Sequence, residues 1–284
     1  MEMKVIGVLG AGSMGNGIAQ LAAQAGYRVI MRDIEDRFVQ SGLKAIEKFL
    51  TKSVEKGKMA EDQKKGVLSR IKGTTKMEDL KDADFVIEAV FEDLELKKNV
   101  FRQLDELTRS QAILTTNTSS MSVTEIAMAT KRPEKVAGMH FFNPAPLMRL
   151  VEVIRGYHTN DETIHTVMEM AKKMGKEPIE VKKDTPGFVV NRLMTPHFVE
   201  AIRMVEEGVA SIEDIDKAVK LGLNYPMGPF ELMDLTGIDI ALHVTEYLYK
   251  ELNKENKWSA PTLLRSMIRA GKLGKKTGAG WYKY

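Results

Sequence analysis

Cysteine is missing altogether from this 284-residue chain, which removes disulfides, thiolate metal sites and cysteine nucleophiles together. Long apolar runs are missing too: none approaches the roughly 18 residues that a membrane-spanning helix needs. There are only five histidines, with no close pair at metal-ligand spacing, so a zinc site is not expected. Neither sign of charge dominates. The 42 Lys+Arg against 39 Asp+Glu leave a net +3, too balanced for a dedicated nucleic-acid-binding protein. The first strand-like run begins by Lys4, leaving no room for a signal peptide, and a cytoplasmic location is the resulting expectation. The hydrophobic share of 43% and charged share of 29% are those of an ordinary globular protein, long enough for one large or two moderate domains.

Along the first 180 or so residues, short β-branched runs alternate with longer helical patterns. The strand candidates are "KVIGVLG", "YRVIMRD", "DADFVIEAV", "QAILTTNT", "KVAGMHFF", "RLVEVI" and "EPIEV". Helical periodicity separates several of them, as in "MGNGIAQLAAQAG", "ELKKNVFRQLDELTR" and "ETIHTVMEMAKKMG". This alternation predicts an α/β fold of Rossmann type, a doubly wound and mostly parallel sheet with helices on both faces. The pattern changes at "KKDTPGFVVNRL", after which strands give way to helices through "PFELMDLTGIDIALHVTEYLYKEL" and "PTLLRSMIRAG". Pro and Gly interrupt the chain near Asp184–Pro186, so the expected domains are residues 1–185 and an all-helical 186–284.

The stretch "VIGVLGAGSMGNGIAQLAAQAGYRVIMRD" places Gly10, Gly12 and Gly15 in G-x-G-x-x-G spacing, directly after an apolar strand and at the start of a helix. In that setting the three glycines answer different demands. Gly10 makes the tight turn, Gly12 lets backbone approach a pyrophosphate, and Gly15 lets helix and strand pack closely. The whole turn, Gly10-Ala11-Gly12-Ser13-Met14-Gly15, is the candidate cradle for a dinucleotide at the helix N-terminus. Asp33 ends the second strand, where a carboxylate receives adenosine ribose hydroxyls and repels a 2′-phosphate, favouring NAD over NADP. Arg32 and Arg37 lie close by and are the groups that would receive such a phosphate.

Two other residues are out of place. His140 sits inside "VAGMHFF" and Glu152 inside "RLVEVI", each where a buried strand would carry an aliphatic side chain. Burying an ionisable group is costly without a partner. Either these are a satisfied core histidine and an unrelated glutamate, or they are one dyad. The intervening "FFNPAPLM", with Pro144 and Pro146, allows two strands to lie side by side with both groups on one face. A carboxylate on one imidazole nitrogen fixes the tautomer and raises basicity at the other, which suits a metal-free alcohol oxidation.

The motifs "GVLGAGSMGNGIAQ", "DFVIEAVFEDLELKK", "ILTTNTSSMSVTEIA", "GMHFFNPAPLMRLVEVI", "DTPGFVVNRL", "NYPMGPFELMDLTGID" and "GKLGKKTGAGWY" cover essentially the whole chain. In them it resembles the L-3-hydroxyacyl-CoA dehydrogenase family, most closely its short-chain 3-hydroxybutyryl-CoA members. The resemblance implies His140 as general base, Glu152 as its partner and Asn191 as a substrate-side amide. It implies Ser119 at the substrate oxygen and Asn143 at the nicotinamide end. Glu92, Lys97 and Lys275 are implied on the cofactor side. Plainer roles are open to several of these: Ser119 could cap the helix starting near Ser122, Asn143 and Asn191 could be turn and surface amides, and Lys275 lies in a basic tail with the composition of a flexible one. Glu92 and Lys97 stand five apart, which is not a helical ion-pair spacing.

Lys44, Lys48, Lys52 and Lys56 recur every fourth residue, forming one basic stripe on a helix. The stripe is either a solvated face softened by Glu47 and Glu55 or a surface for a polyanion. The resemblance implies the latter, an acyl-CoA thioester held by a helical hairpin, with Lys56 matching a coenzyme A-binding lysine. Some relatives carry a serine about two turns earlier, where this chain has Phe49. The resemblance further implies a homodimer formed through the helical domain. Three other readings exist for this two-domain plan. A 6-phosphogluconate-type enzyme would need a lysine base, a UDP-sugar dehydrogenase a cysteine, and a non-catalytic crystallin-like relative neither His140 nor Glu152.

Overall fold

Val5–Leu9, five consecutive buried residues, form the first strand, β1. A strand apolar on both sides must be covered on both faces, as in a doubly wound sheet. The computed structural model describes residues 3–284 and divides into two units, one ending at Asp184 and one spanning Thr185–Tyr284. The first unit continues with α1 (Ser13–Gln24), β2 (Arg28–Arg32), α2 (Asp36–Glu55), α3 (Glu61–Ser69), β3 (Ile71–Thr74) and β4 (Phe85–Glu88). There follow α4 (Leu94–Leu107), β5 (Ile113–Thr116), α5 (Val123–Ala127), β6 (Val136–Phe141), β7 (Leu150–Ile154), α6 (Asp161–Lys173) and β8 (Glu177–Val181). Among the described residues, eight strands form one sheet in the order β3-β2-β1-β4-β5-β6-β7-β8. The reversal of strand order beside β1 is the switch point of a Rossmann-type sheet, where ligands bind at the carboxyl ends of the strands.

Every pairing is parallel except β6 with β7. Only residues 142–149 separate these two strands, too few for the crossover of a dozen or more residues that a parallel return needs. β7 therefore runs back along β6, and its first residues lie at the same sheet edge as the last residues of β6. Apolar side chains fill both faces. Ile18, Ile46, Leu50, Val167 and Met170 of α1, α2 and α6 cover one, against Ile6, Val8, Val29 and Phe85. Val100, Phe101, Leu104 and Ile126 of α4 and α5 cover the other, against Leu9, Val86 and Leu114. Caps mark the helix starts: Asp93 accepts from the Leu96 amide at 2.8 Å and Ser122 from the Glu125 amide at 3.2 Å.

The expected α/β plan is present, with one strand more than the apolar runs indicate. β3, "IKGT", is an edge strand of half-buried and exposed residues, so it carries no apolar run to reveal it. The second unit is helical: α7 (Val190–Glu206), α8 (Ile212–Gly222), α9 (Pro229–Thr236), α10 (Ile238–Glu251) and α11 (Thr262–Arg269). The long helical pattern at residues 229–251 is broken at Gly237, whose φ of 109° no helix admits. The basic C-terminal tail is held by buried acids of the same unit. Buried Asp234 accepts from the Trp281 and Tyr282 amides at 2.9 Å each, and Tyr282 donates its hydroxyl to buried Asp216 at 2.7 Å. Among the described residues no helix is long and apolar enough to cross a membrane.

The turn from β1 into α1 shows why its glycines differ. Gly10 has φ 96°, and a Cβ there would lie 2.3 Å from the Ala89 carbonyl oxygen. A Cβ on Gly15 would lie 1.9 Å from the Gly10 carbonyl oxygen. A Cβ on Gly12 would meet nothing within 4 Å. Gly15→Ala should therefore lower the melting temperature sharply, whereas Gly12→Ala should melt like the parent and lose NADH binding in a fluorescence titration. A Gly12→Ala variant that titrates NADH like the parent would show that the open space above Gly12 has no binding role.

Candidate active site

At the carboxyl edge of the sheet, the ends of β1, β2, β4, β5 and β6 and the start of β7 bring most of the singled-out residues together. His140 and Glu152 are directly opposed across the antiparallel pair. His140 Nδ1 lies 2.8 Å from Glu152 Oε2, with Glu152 fully buried and His140 only 5% exposed. An ionised carboxylate only accepts, so an imidazole facing one across this contact would carry its proton on Nδ1 and leave Nε2 as the second ring nitrogen. The Phe142 ring packs 4.6 Å from the imidazole, limiting its rotation.

The turn between the two strands is held from outside. Lys176, buried just before β8, donates from Nζ to the Ala145 carbonyl at 2.6 Å and the Met148 carbonyl at 2.8 Å. Burial holds its ammonium below the usual lysine range. On the α1 side, the absent side chain of Gly17 makes room for Pro146, whose Cδ would lie 2.8 Å from an added Cβ. Asn143 is exposed on this turn and its peptide bond to Pro144 is cis.

After β5, Asn117 accepts from the Phe141 amide at 2.8 Å, binding the Thr116–Ser119 segment to the residue next to His140. Glu92 accepts from the Ser119 amide at 2.9 Å and from the Thr118 hydroxyl. Ser122, not Ser119, caps α5, so capping does not account for Ser119. Lys97 differs from expectation. It lies beneath the surface with 1% of its side chain exposed, 2.8 Å from Glu88 and 3.2 Å from Glu92. The five-residue spacing does not prevent the Glu92–Lys97 pair, because Glu92 precedes the cap of α4 and is not on that helix.

The electrostatics follow from this packing. Burial pushes the Glu92 carboxyl upward, but the Lys97 charge and the Thr118 and Ser119 hydrogen bonds outweigh it and hold the group below the usual range. Burial likewise lowers Lys97, yet Glu88 and Glu92 raise it above the ordinary lysine value, so it stays protonated. A carboxyl depressed on folding adds stability that is complete above its unfolded pKa and lost as pH falls through the folded one.

The turn above Gly12 suits a dinucleotide. α1 starts with no side-chain cap and no acidic residue in its first turn, leaving its amide N–H groups and positive dipole end to an anion. Asp33 supports the turn by accepting from the Ala11 amide at 2.7 Å through Oδ2 and from the Ile34 amide at 2.7 Å through Oδ1. The neighbouring basic groups have other partners: Arg37 pairs with Glu35 at 2.8 Å and Arg32 donates to the Thr75 carbonyl at 3.2 Å.

Lys44, Lys48 and Lys52 lie on α2, and exposed Lys56 stands just past its end, opposite the face that buries Ile46 and Leu50. Asn191 and Lys275 belong to the second unit. Asn191 lies in the first turn of α7, and Lys275 stands 5.1 Å from the Tyr284 ring centroid. Sequence pattern does not single out Glu88, Asn117, Thr118 or Lys176. Only Glu88 leaves a trace there, as an acid inside the apolar run "DFVIEAV".

Two family models match the chain: the NAD-binding domain of 3-hydroxyacyl-CoA dehydrogenase over residues 5–185 and its C-terminal domain over residues 187–284. A 3-hydroxybutyryl-CoA dehydrogenase of Clostridioides difficile is 48% identical, across 98% of this chain and 99% of its own. The human mitochondrial hydroxyacyl-coenzyme A dehydrogenase is 43% identical, across 99% of this chain and 91% of its own. The crystal structure of (S)-3-hydroxybutyryl-CoA dehydrogenase from Ralstonia eutropha has a TM-score of 0.96 at 46% identity, covering 100% of this chain and 99% of that one. With both halves matched in order and full-length relatives above 40% identity, the chain belongs to the 3-hydroxyacyl-CoA dehydrogenase family.

Proposed function

We propose that this enzyme interconverts (S)-3-hydroxybutyryl-CoA and acetoacetyl-CoA, using NAD in preference to NADP. That it is an oxidoreductase with a nicotinamide cofactor follows from its family; the substrate rests on the names of its full-length relatives. The observation carrying the mechanism is the buried His140–Glu152 contact of 2.8 Å. Bound nicotinamide supplies the hydride acceptor for the alcohol and the hydride donor for the ketone. His140 then takes the alcohol proton at Nε2 on oxidation and returns it on reduction, while the Glu152 carboxylate at Nδ1 stabilises the charged ring. Ser119 orients the substrate oxygen, and Asn191 supplies a further polar group from the second unit.

On the cofactor side we assign the Gly10–Gly15 turn to the pyrophosphate, Asp33 to the adenosine ribose, Glu92 and Asn143 to the nicotinamide half, and Lys275 to a peripheral contact. Lys97 acts through Glu92. A lysine-base mechanism is disfavoured, since Lys97 is held protonated by two carboxylates. The Lys44–Lys56 stripe is assigned to the phosphates of coenzyme A. The second unit exposes Leu193, Val209, Leu221, Leu223 and Ile240, each more than half accessible, and this supports a homodimer formed through that unit.

Reduction of acetoacetyl-CoA, followed with NADH and with NADPH, should proceed faster with NADH. In the same assay Glu152→Gln should lower kcat by roughly 10²–10⁴ with NADH binding retained. A folded variant with parental kcat would return the pair to a structural role. Lys56→Glu should raise KM for acetoacetyl-CoA several-fold and leave a pantetheine thioester unaffected; equal effects on both would refute the phosphate contact. Light scattering at micromolar concentration should give twice the 31.8 kDa chain mass, and a monomer would refute the dimer.

A further inference from the structure

We propose that Glu88 and Lys97 are positioning residues for the reaction, forming with Glu92 an ion triad, buried at Glu88 and Lys97, that aims Ser119. The proposal rests on the dehydrogenase reading above and adds to it two side chains that need not touch substrate. Glu88 has no exposed surface, and each of its oxygens is engaged. Oε1 accepts from Lys97 Nζ at 2.8 Å and from the Val90 amide at 2.7 Å, and Oε2 from the Thr116 hydroxyl at 2.7 Å. Lys97 reaches on to Glu92 Oε2 at 3.2 Å. Glu92 takes the Thr118 hydroxyl, the Ser119 amide at 2.9 Å and the Ser119 hydroxyl at 3.4 Å. The Thr116–Ser119 segment is thus gripped at Thr116, Thr118 and Ser119 by one connected group of charges. Asn117 between them is tied to the strand carrying His140.

Sheet packing does not call for these charges. Glu88 ends a strand whose other members, Phe85, Val86 and Ile87, are fully buried and apolar. An apolar residue there would avoid the desolvation that a buried ion must overcome. Two carboxylates and one ammonium leave a surplus negative charge, and Glu92, 29% exposed at the side chain, is the member able to keep it in contact with solvent or ligand. Without Lys97, Glu92 loses the ammonium that fixes its Oε2 at 3.2 Å, whether or not Glu88 keeps its charge. That loss loosens the acceptor that holds the Ser119 amide. A displacement of about 1 Å at a reacting centre is enough to cost on the order of 10²-fold in rate.

The test compares Lys97→Met and the double variant Glu88→Gln/Lys97→Met with the parent, reading melting temperature, kcat, and KM for acetoacetyl-CoA and NADH. Lys97→Met should melt lower, lose about 10–100-fold in kcat and raise KM for NADH, with KM for acetoacetyl-CoA nearly unchanged. The double variant, with both buried charges removed together, should regain most of the melting temperature and keep the low kcat. A double variant whose kcat returns with its melting temperature would overturn the proposal by showing that the triad serves folding alone. A loss confined to KM would overturn it too. A parent chain that binds NADH but reduces no 3-oxoacyl thioester would overturn the dehydrogenase reading and this proposal with it. A parent that does reduce acetoacetyl-CoA, matched by the double variant, would overturn only the triad.

Discussion

A carboxylate with no exposed surface can remain ionised inside a sheet only if a donor meets it, and in this protein Glu152 meets the imidazole of His140. The contact exists because β7 runs antiparallel to β6, placing residues 140 and 152 opposite each other. A parallel return would have carried Glu152 to the other end of the strand. The short proline-bearing turn at residues 142–149 therefore decides whether a dyad forms at all. Two unrelated features hold that turn, the Lys176 ammonium on its carbonyls and the space left by Gly17 for Pro146. Removing one member of such a buried pair typically costs about 3–5 kcal/mol, so packing and site chemistry are linked at one place.

The same device occurs a second time in the sheet. Glu88 in "FVIE" and Glu152 in "LVEVI" are both acids in otherwise apolar strands, and both lie toward the edge where β1, β2, β4, β5 and β6 end. Each is fully buried, and each has a cationic or cation-forming partner on a neighbouring element. Connected groups of this kind rigidify when every member is satisfied and are costly when one is lost. They suit a site whose groups must keep their geometry across both directions of a reversible reaction. The edge also receives the amide end of α1, so the uncapped helix start and the His140–Glu152 pair share one rim of one sheet.

The second unit solves a different problem. It lacks a sheet, and its helices gather around Phe198, Ile202, Phe230, Met233 and Trp281. Asp216 and Asp234 then tie down the last residues of the chain through backbone amides and tyrosine hydroxyls. Burial and the nearby Asp234 push the Tyr284 hydroxyl up to about 12, so it remains a donor at any physiological pH. A glycine-rich, lysine-rich ending such as "GKLGKKTGAGWYKY" reads as loose in one dimension because the acids that fix it are 47 or more residues away.

What the amino-acid order determined by itself was whatever depends on local pattern. Alternating apolar runs specified the doubly wound sheet, and the helical periodicity after "DTPGF" specified a second, all-helical unit. Glycine spacing specified a turn in which Gly10 and Gly15 are needed by the backbone while Gly12 stands open. His140 and Glu152 are visible as misplaced polar groups, and the prolines between them make a close return possible. The rest was decided by contacts between residues far apart. Edge strand β3 has no apolar signature, because its residues are only half-buried or exposed. Lys97, implied on the cofactor side by the family resemblance, has a buried side chain in the structure, since only the folded chain shows that α4 brings it against Glu88 and Glu92. Asn117, Thr118 and Lys176 are ordinary residues in the sequence and acquire their roles from hydrogen bonds spanning 24 to 31 positions. Sequence pattern records which faces are buried. Which buried polar group meets which partner is a matter of distance in space, and that is set only once the sheet has closed.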